Sequence, residues 1–217
     1  MLLPSILNKF SKAFMKNDIL SIDIGFTNIK VVHVRKKSDN ALKVINYGIG
    51  GTPGGCIKNG IISNIEGIAQ NLKKVIEENK IDEKNVKILI SAGSNIVSKI
   101  IFVKVQNGKT LESVIRDEIK EQIPVDINMQ KLFYRVTGKV VEEDAEFYKV
   151  LVTVVPNTTI ENYMRLLKTL NFKPVSIEIP FSSVARFFSS GVRIADMDQW
   201  SLNRMNVEMS KGCTAIA

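Results

Sequence analysis

The segment with the most chemical content reads Leu20-Ser21-Ile22-Asp23-Ile24-Gly25-Phe26-Thr27-Asn28-Ile29-Lys30. Apolar runs on either side predict two strands joined by a tight turn at residues 25–28. Gly25 carries no Cβ, so phosphate oxygens could approach the turn closely, and successive backbone N–H groups there can form an anion-binding concavity. Asp23, at the end of the first strand, is placed to hold the water shell of a Mg²⁺ ion, a metal that keeps several of its waters. Lys30 leaves on the second strand. The same D-x-G spacing also occurs in hairpins for turn chemistry alone, so on these residues both readings stand.

Other lookalikes fail on spacing. The glycines at 50–55 lack the Lys-Ser/Thr that completes a P-loop, and Gly108-Lys109-Thr110 has Val103 where the first glycine belongs. A dinucleotide fingerprint needs a βαβ opening, whereas this opening reads as a meander. His33, the only histidine, lies within a β-branched strand and reads as structural. That leaves triad hydrolysis and histidine-based metal catalysis little to stand on. Cys56 and Cys213 form no CxxC pair, which argues against a structural zinc or redox motif and points to a cytoplasmic chain. Thirty basic against twenty-two acidic residues give a formal charge of +8 and favour an anionic neighbour. The lysines are scattered rather than interleaved with aromatics, so nucleic acid is not the expected partner.

The elements that must position these residues are legible from periodicity. Residues 19–24, 29–34 and 42–47 predict an antiparallel meander, because their connections are too short for crossovers. After a glycine-rich loop at 48–60, Ser63 and Glu66 have the spacing of a capping box for a helix whose Ile65, Ile68, Ala69, Leu72, Val75 and Ile76 face inward. Residues 86–90 predict a central buried strand. Strand 96–105 follows, then a helix opened by Thr110 and stopped by Pro124, with Leu111, Val114, Ile115, Ile119 and Ile123 on one face. Strands at 132–137 and 147–155 flank an acidic turn. Thr158 and Glu161 suggest a second capping box, leading a helix with Ile160, Tyr163, Met164, Leu167 and Leu170 inward. Strand 175–179 and a short apolar helix at 181–188 complete the pattern. With 217 residues, the order reads as one α/β domain interrupted by an inserted strand-helix-strand-strand module.

The first eighteen residues stand apart. Leu3, Ile6, Leu7, Phe10 and Phe14 fall at helical spacing, while Lys9, Lys12 and Lys16 occupy other positions. Lys9 interrupts the apolar core that a secretory signal would need. The segment reads either as a basic amphipathic helix on an anionic membrane or as a terminal helix docked on its own domain. No run approaches the ~18 apolar residues of a membrane span.

Taken together, these segments resemble the PilM family, actin-like proteins of type IV pilus assembly related to the cell-division protein FtsA. The resemblance rests on the hairpin at 21–34, on Gly60-Ile-Ile-Ser-Asn-Ile-Glu66, on the helix ending Gln122-Ile123-Pro124, and on residues 156–188. It implies an actin-like, ribonuclease H-like subdomain 1A at 19–95, an inserted subdomain 1C at 96–156, and a return to 1A at 157–190. A tail at 191–217 would end where the first strand of a second half should begin. With that half missing, ATP and Mg²⁺, bound in the full-length family, should not be held well by Asp23, Gly25, Phe26, Thr27, Asn28 and Lys30 alone. The family implies a non-enzymatic scaffold at the cytoplasmic face of the inner membrane. Its partner would be the N-terminal tail of PilN, received in a groove between 1A and 1C, with Ile119, Ile123 and Pro124 near it and other pilus assembly proteins beyond. Two alternatives remain: an FtsA-like membrane-associated filament protein, and a nucleotide-dependent phosphotransferase or ATPase relative.

Overall fold

The computed structural model describes residues 18–38, 41–90, 95–104, 108–124, 126–142, 145–179 and 193–195. The amphipathic segment before Asp18, the apolar stretch 181–188, Cys213 and the final residues lie outside the described residues. The chain divides into two compact units. One takes the residues up to Ala92 and again from Asn162, and the other runs from Gly93 to Glu161.

In the first unit, strands β1 (Asp18–Ile24), β2 (Asn28–Ser38) and β3 (Ala41–Gly51) form the expected antiparallel meander. Strands β6 (Asn85–Leu89) and β10 (Lys173–Glu178) extend the sheet in parallel beyond β1, and β11 (Arg193–Ala195) pairs with β3. The order across the sheet is β10-β6-β1-β2-β3-β11. Alternation with period two puts Leu20, Ile22 and Ile24 of β1 on one face, in register with Val31 and Ile29 of β2 and Val86 and Ile88 of β6. All seven are buried, each contributing about 1.5–3 kcal/mol of apolar transfer free energy.

Helix α1 (Ile65–Glu78) covers that face with Ile68, Ala69, Leu72, Val75 and Ile76 buried. Two close approaches let it sit there. A Cβ at Gly48 would stand 2.8 Å from Asn79 Cγ, and one at Gly50 would collide with Val75 Cγ2. These glycines of the glycine-rich segment therefore serve helix–sheet packing. The capping residue differs from the sequence reading: Asn64, not Ser63, caps α1, its Oδ1 accepting from Gly67 N at 2.9 Å. The reason is the small hairpin of β4 (Ile57–Lys58) and β5 (Ile61–Ile62). Its closure sends the Ser63 amide to Cys56 O and the Ser63 hydroxyl to Gly55 O, so Ser63 is spent on the loop.

The second unit holds a separate antiparallel sheet, β7 (Val97–Val103), β9 (Ala145–Pro156) and β8 (Gln130–Glu142), in the order β7-β9-β8. Helix α2 (Leu111–Gln122) opens at Thr110, whose Oγ1 accepts from Ser113 N at 3.2 Å, and ends before Pro124. Ile115, Ile119, Ile123 and Ile127 pack with Ile101, Val103, Val150, Val152 and Val154. The hairpin is longer than periodicity predicted. β8 runs on to Glu142, and its distal half is exposed because a twelve-residue helix covers only part of the face.

Helix α3 (Asn157–Thr169) follows β9 directly, so Thr158, expected as its cap, lies inside it. Its buried stripe is Thr159, Tyr163, Leu166 and Leu167, while Met164, expected inward, is exposed. Met164 lies about 110° round the helix from the centre of that stripe, at 3.6 residues per turn.

Candidate functional site

β1 and β2 deliver Asp23 and Lys30 to one cross-strand pair. Lys30 Nζ stands 3.5 Å from Asp23 Oδ2; the lysine side chain is largely buried and the aspartate about one-third exposed. The intervening turn closes through Gly25 N donating to Asn28 O at 2.9 Å. A Cβ at Gly25 would lie 3.1 Å from that same carbonyl, which is why glycine suits the position. The turn is held to the end of β3 by two further bonds. Thr52 N donates to Thr27 O at 2.8 Å, and Thr52 Oγ1 donates to Gly25 O at 2.6 Å. Phe26 and Thr27 project into solvent, and among the described residues neither of their amides donates to another backbone carbonyl.

The six residues singled out from sequence thus form one structure: a pinned turn with two open N–H donors, a lysine, and a carboxylate on the adjoining strand end. An anion over the turn would meet the amides and the ammonium, and Asp23 could carry the waters of a hard cation. The turn sits at the carboxyl end of β1, where the parallel part of this mixed sheet, β10-β6-β1, has the carboxyl ends at which ligands of open α/β folds gather.

A second carboxylate on this edge was not visible in the sequence. Asp23 of β1 and Glu178 of β10 both pair with Leu89 of β6, so they share a row on one face, about 10 Å apart at ordinary strand spacing. Ser176 Oγ donates to Glu178 Oε1 at 3.1 Å. No local motif marks Glu178; only the two parallel pairings bring it into line with Asp23.

The residues expected near a partner peptide have different fates. Ile119 and Ile123 are buried in the core of the second unit, and only Pro124 is exposed. On this sheet β7 is an edge strand, with Ile100 and Phe102 each 49% exposed. His33 is buried as anticipated, on the row of β2 that holds Val31 and Ile29.

Comparisons with known proteins bear on both units. The family model of type IV pilus assembly protein PilM matches residues 21–194. Among solved structures, one of a PilM-PilN type IV pilus biogenesis complex is similar over 78% of this chain and 49% of its own, with 21% identity and a TM-score of 0.67. The cytoplasmic domain of EpsL, an inner-membrane component of the type II secretion system of Vibrio cholerae, is similar over 75% of this chain and 57% of its own, with 16% identity and a TM-score of 0.49. The chain spans about half the length of the PilM chain it matches. The fold class read from the sequence, an actin-like α/β unit carrying a strand-helix-strand-strand insertion, is the one observed.

Proposed function

The chain belongs to the PilM family of type IV pilus assembly proteins, and from that premise we propose that it works as an actin-like scaffold in pilus assembly. The observation that carries this reading is the extent of the family match, which runs unbroken through the phosphate turn, the inserted unit and the return strand. Its partner on this reading is PilN, which is named in the complex to which the chain is similar, and the part of PilN it would take is the N-terminal cytoplasmic tail. The place of action is the cytoplasmic face of the inner membrane, where residues 1–17 would add a peripheral lipid contact. Among the described residues no helix is long and apolar enough to cross a membrane.

An extended tail recognises a sheet by adding backbone hydrogen bonds at an open edge and seating alternate apolar side chains. Within the second unit β7 supports this, as an edge strand with Ile100 and Phe102 half exposed. Ile119 and Ile123 act by holding α2 on the sheet. The pinned turn and Lys30 fit a phosphate group, and Asp23 fits a hydrated Mg²⁺. Where a nucleotide binds, it supplies a charge that fixes the turn. A second reading, an ATPase or phosphotransferase relative, draws on Glu178 alone.

The test is titration of a synthetic PilN-like tail, carrying an asparagine-leucine-leucine-proline element, into the full chain by calorimetry. Binding that Phe102→Asp weakens at least tenfold supports the reading. A folded chain that ignores the peptide at millimolar concentration removes it. Ile123→Asp is a poor probe, because it would place a charge in the core. Phosphate release from ATP that Glu178→Gln abolishes would favour the enzyme reading instead.

A further inference from the structure

A second constellation lies near the opposite end of the β1–β2 hairpin, five residues from Asp23 and so about 17 Å along β1. Asp18 opens β1, its register partner on β2 is Arg35, and His33 lies on the same face one pair further in, opposite Leu20. Glu83, from the loop before β6, approaches the same place. One ligand atom from each of Asp18, His33 and Glu83 can be chosen so that all three lie within 4.8 Å of one another. They line an open surface cavity of about 440 Å³.

His33 is what makes the cluster unusual. It is 96% buried (4% exposed), and among the described residues neither ring nitrogen has a hydrogen-bond partner. Nε2 stands 3.4 Å from Asp18 Oδ2 without the alignment of a hydrogen bond. Buried polar side-chain atoms are nearly always satisfied, and an orphaned one costs about 1–3 kcal/mol. A leucine or valine would fill this place in the apolar row at no such cost. Imidazole is also the commonest protein ligand for transition metals.

The two carboxylates are already oriented from behind. Asp18 accepts from Arg35 Nε at 2.7 Å and from Arg35 Nη2 at 2.6 Å. Glu83 Oε1 accepts from the Lys84 and Asn85 amides at 2.8 and 2.6 Å and from Asn85 Nδ2, and among the described residues Oε2 has no hydrogen bond. A carboxylate has about four lone-pair sites, so these bonds leave room for a metal. Outer partners of this kind are how protein metal sites fix their ligands. Asp18, Asp82 and Glu83 on the cavity wall balance Arg35, Lys84 and Lys173. Lys84 is further drawn away over the Phe172 ring, 5.1 Å from its centroid.

We propose that Asp18, His33 and Glu83 form a binding site for a divalent first-row metal ion, with zinc as its natural probe. One imidazole nitrogen and two carboxylate oxygens are a donor set zinc accepts, with water completing a tetrahedron. Tetrahedral ligands stand about 3.4 Å apart at metal–ligand distances near 2.1 Å; Asp18 Oδ2 and His33 Nε2 already have that spacing at 3.4 Å, so it is Glu83 that closes the remaining gap on binding. The ion satisfies a nitrogen that is otherwise orphaned and staples the open end of β1–β2 to the loop before β6. The site is separate from the phosphate turn and does not depend on the partner reading.

The single histidine makes the test direct. With the untagged full chain, zinc chloride is titrated while the ¹⁵N resonances of labelled imidazole, which come from His33 alone, are followed. The expected result is a saturable shift of one ring nitrogen at micromolar zinc, with calorimetry showing at least tenfold weaker binding in Glu83→Gln. A His33 signal unmoved by a stoichiometric excess of zinc, or an affinity unchanged in Glu83→Gln, overturns the proposal.

Discussion

The packing of α1 on β3 yields a prediction whose sign can be worked out in advance. A methyl group at Gly50 falls within the van der Waals shell of Val75 Cγ2, while Val75 Cβ is at an ordinary 3.8 Å. Val75 is 2% exposed and, being β-branched in a helix, has essentially one rotamer, so it cannot swing aside. Overpacking of this kind costs about 1–3 kcal/mol. Alanine gains about 0.5–1 kcal/mol over glycine in a strand, leaving Gly50→Ala destabilising by about 0–2.5 kcal/mol, about 1 at mid-range. Val75→Ala removes two buried methyl groups and should cost about 2 kcal/mol through transfer and cavity terms. It also removes the colliding atom. In the Val75→Ala background, Gly50→Ala should therefore become stabilising by about 0.5–1 kcal/mol, a coupling of about 2 kcal/mol between the two sites. Urea denaturation of the four proteins, read by hydrogen exchange in peptides covering β3 and α1, measures this. Additive effects, with no coupling between the two positions, would refute the claim that these glycines admit the helix.

Other expectations follow from single contacts. Thr52→Val deletes the hydroxyl that donates to Gly25 O; a loss of about 1 kcal/mol should speed exchange of the hydrogen-bonded Gly25 and Thr52 amides about fivefold. Ile115→Ala, at a fully buried position of α2, should destabilise the second unit by about 2–5 kcal/mol, seen as lost exchange protection in β9. The hydrogen bonds from Arg35 hold the Asp18 carboxyl below its usual range. Its stabilising effect is then full above the unfolded carboxylate pKa of about 3.9 and is lost as pH falls through the lower folded value. Denaturation midpoints of Arg35→Gln and wild type should differ at pH 6 and converge near about pH 2.

Much of this architecture was legible because it rests on local rules. Apolar and β-branched runs marked β1, β2 and β6, and short connections forced the meander. The run Thr110 to Pro124 gave a helix with its cap, its buried face and its stop. The turn at residues 25–28 was legible for the same reason, since Asp23, Gly25 and Lys30 are close in sequence and a hairpin can join them only one way. Where local rules met a tertiary competitor, they misled. Ser63 has the spacing of a cap, but closure of the β4–β5 hairpin takes both its amide and its hydroxyl, and Asn64 caps instead. Ile119 and Ile123 read equally well as a surface stripe or a core stripe until β9 is placed against them.

Sequence by itself determined the alternation of strands and helices, the interrupting module and the residues that meet at the first turn, because each follows from neighbours along the chain. Tertiary structure alone decided which distant residues meet. Glu178 lines up with Asp23 only because β6 pairs in parallel with both β1 and β10. Asp18, His33 and Glu83 converge only because that same pairing carries the loop before β6 to the open end of the hairpin. Parallel strands are joined by long crossovers whose register no local pattern specifies, so what they bring together cannot be read along the chain.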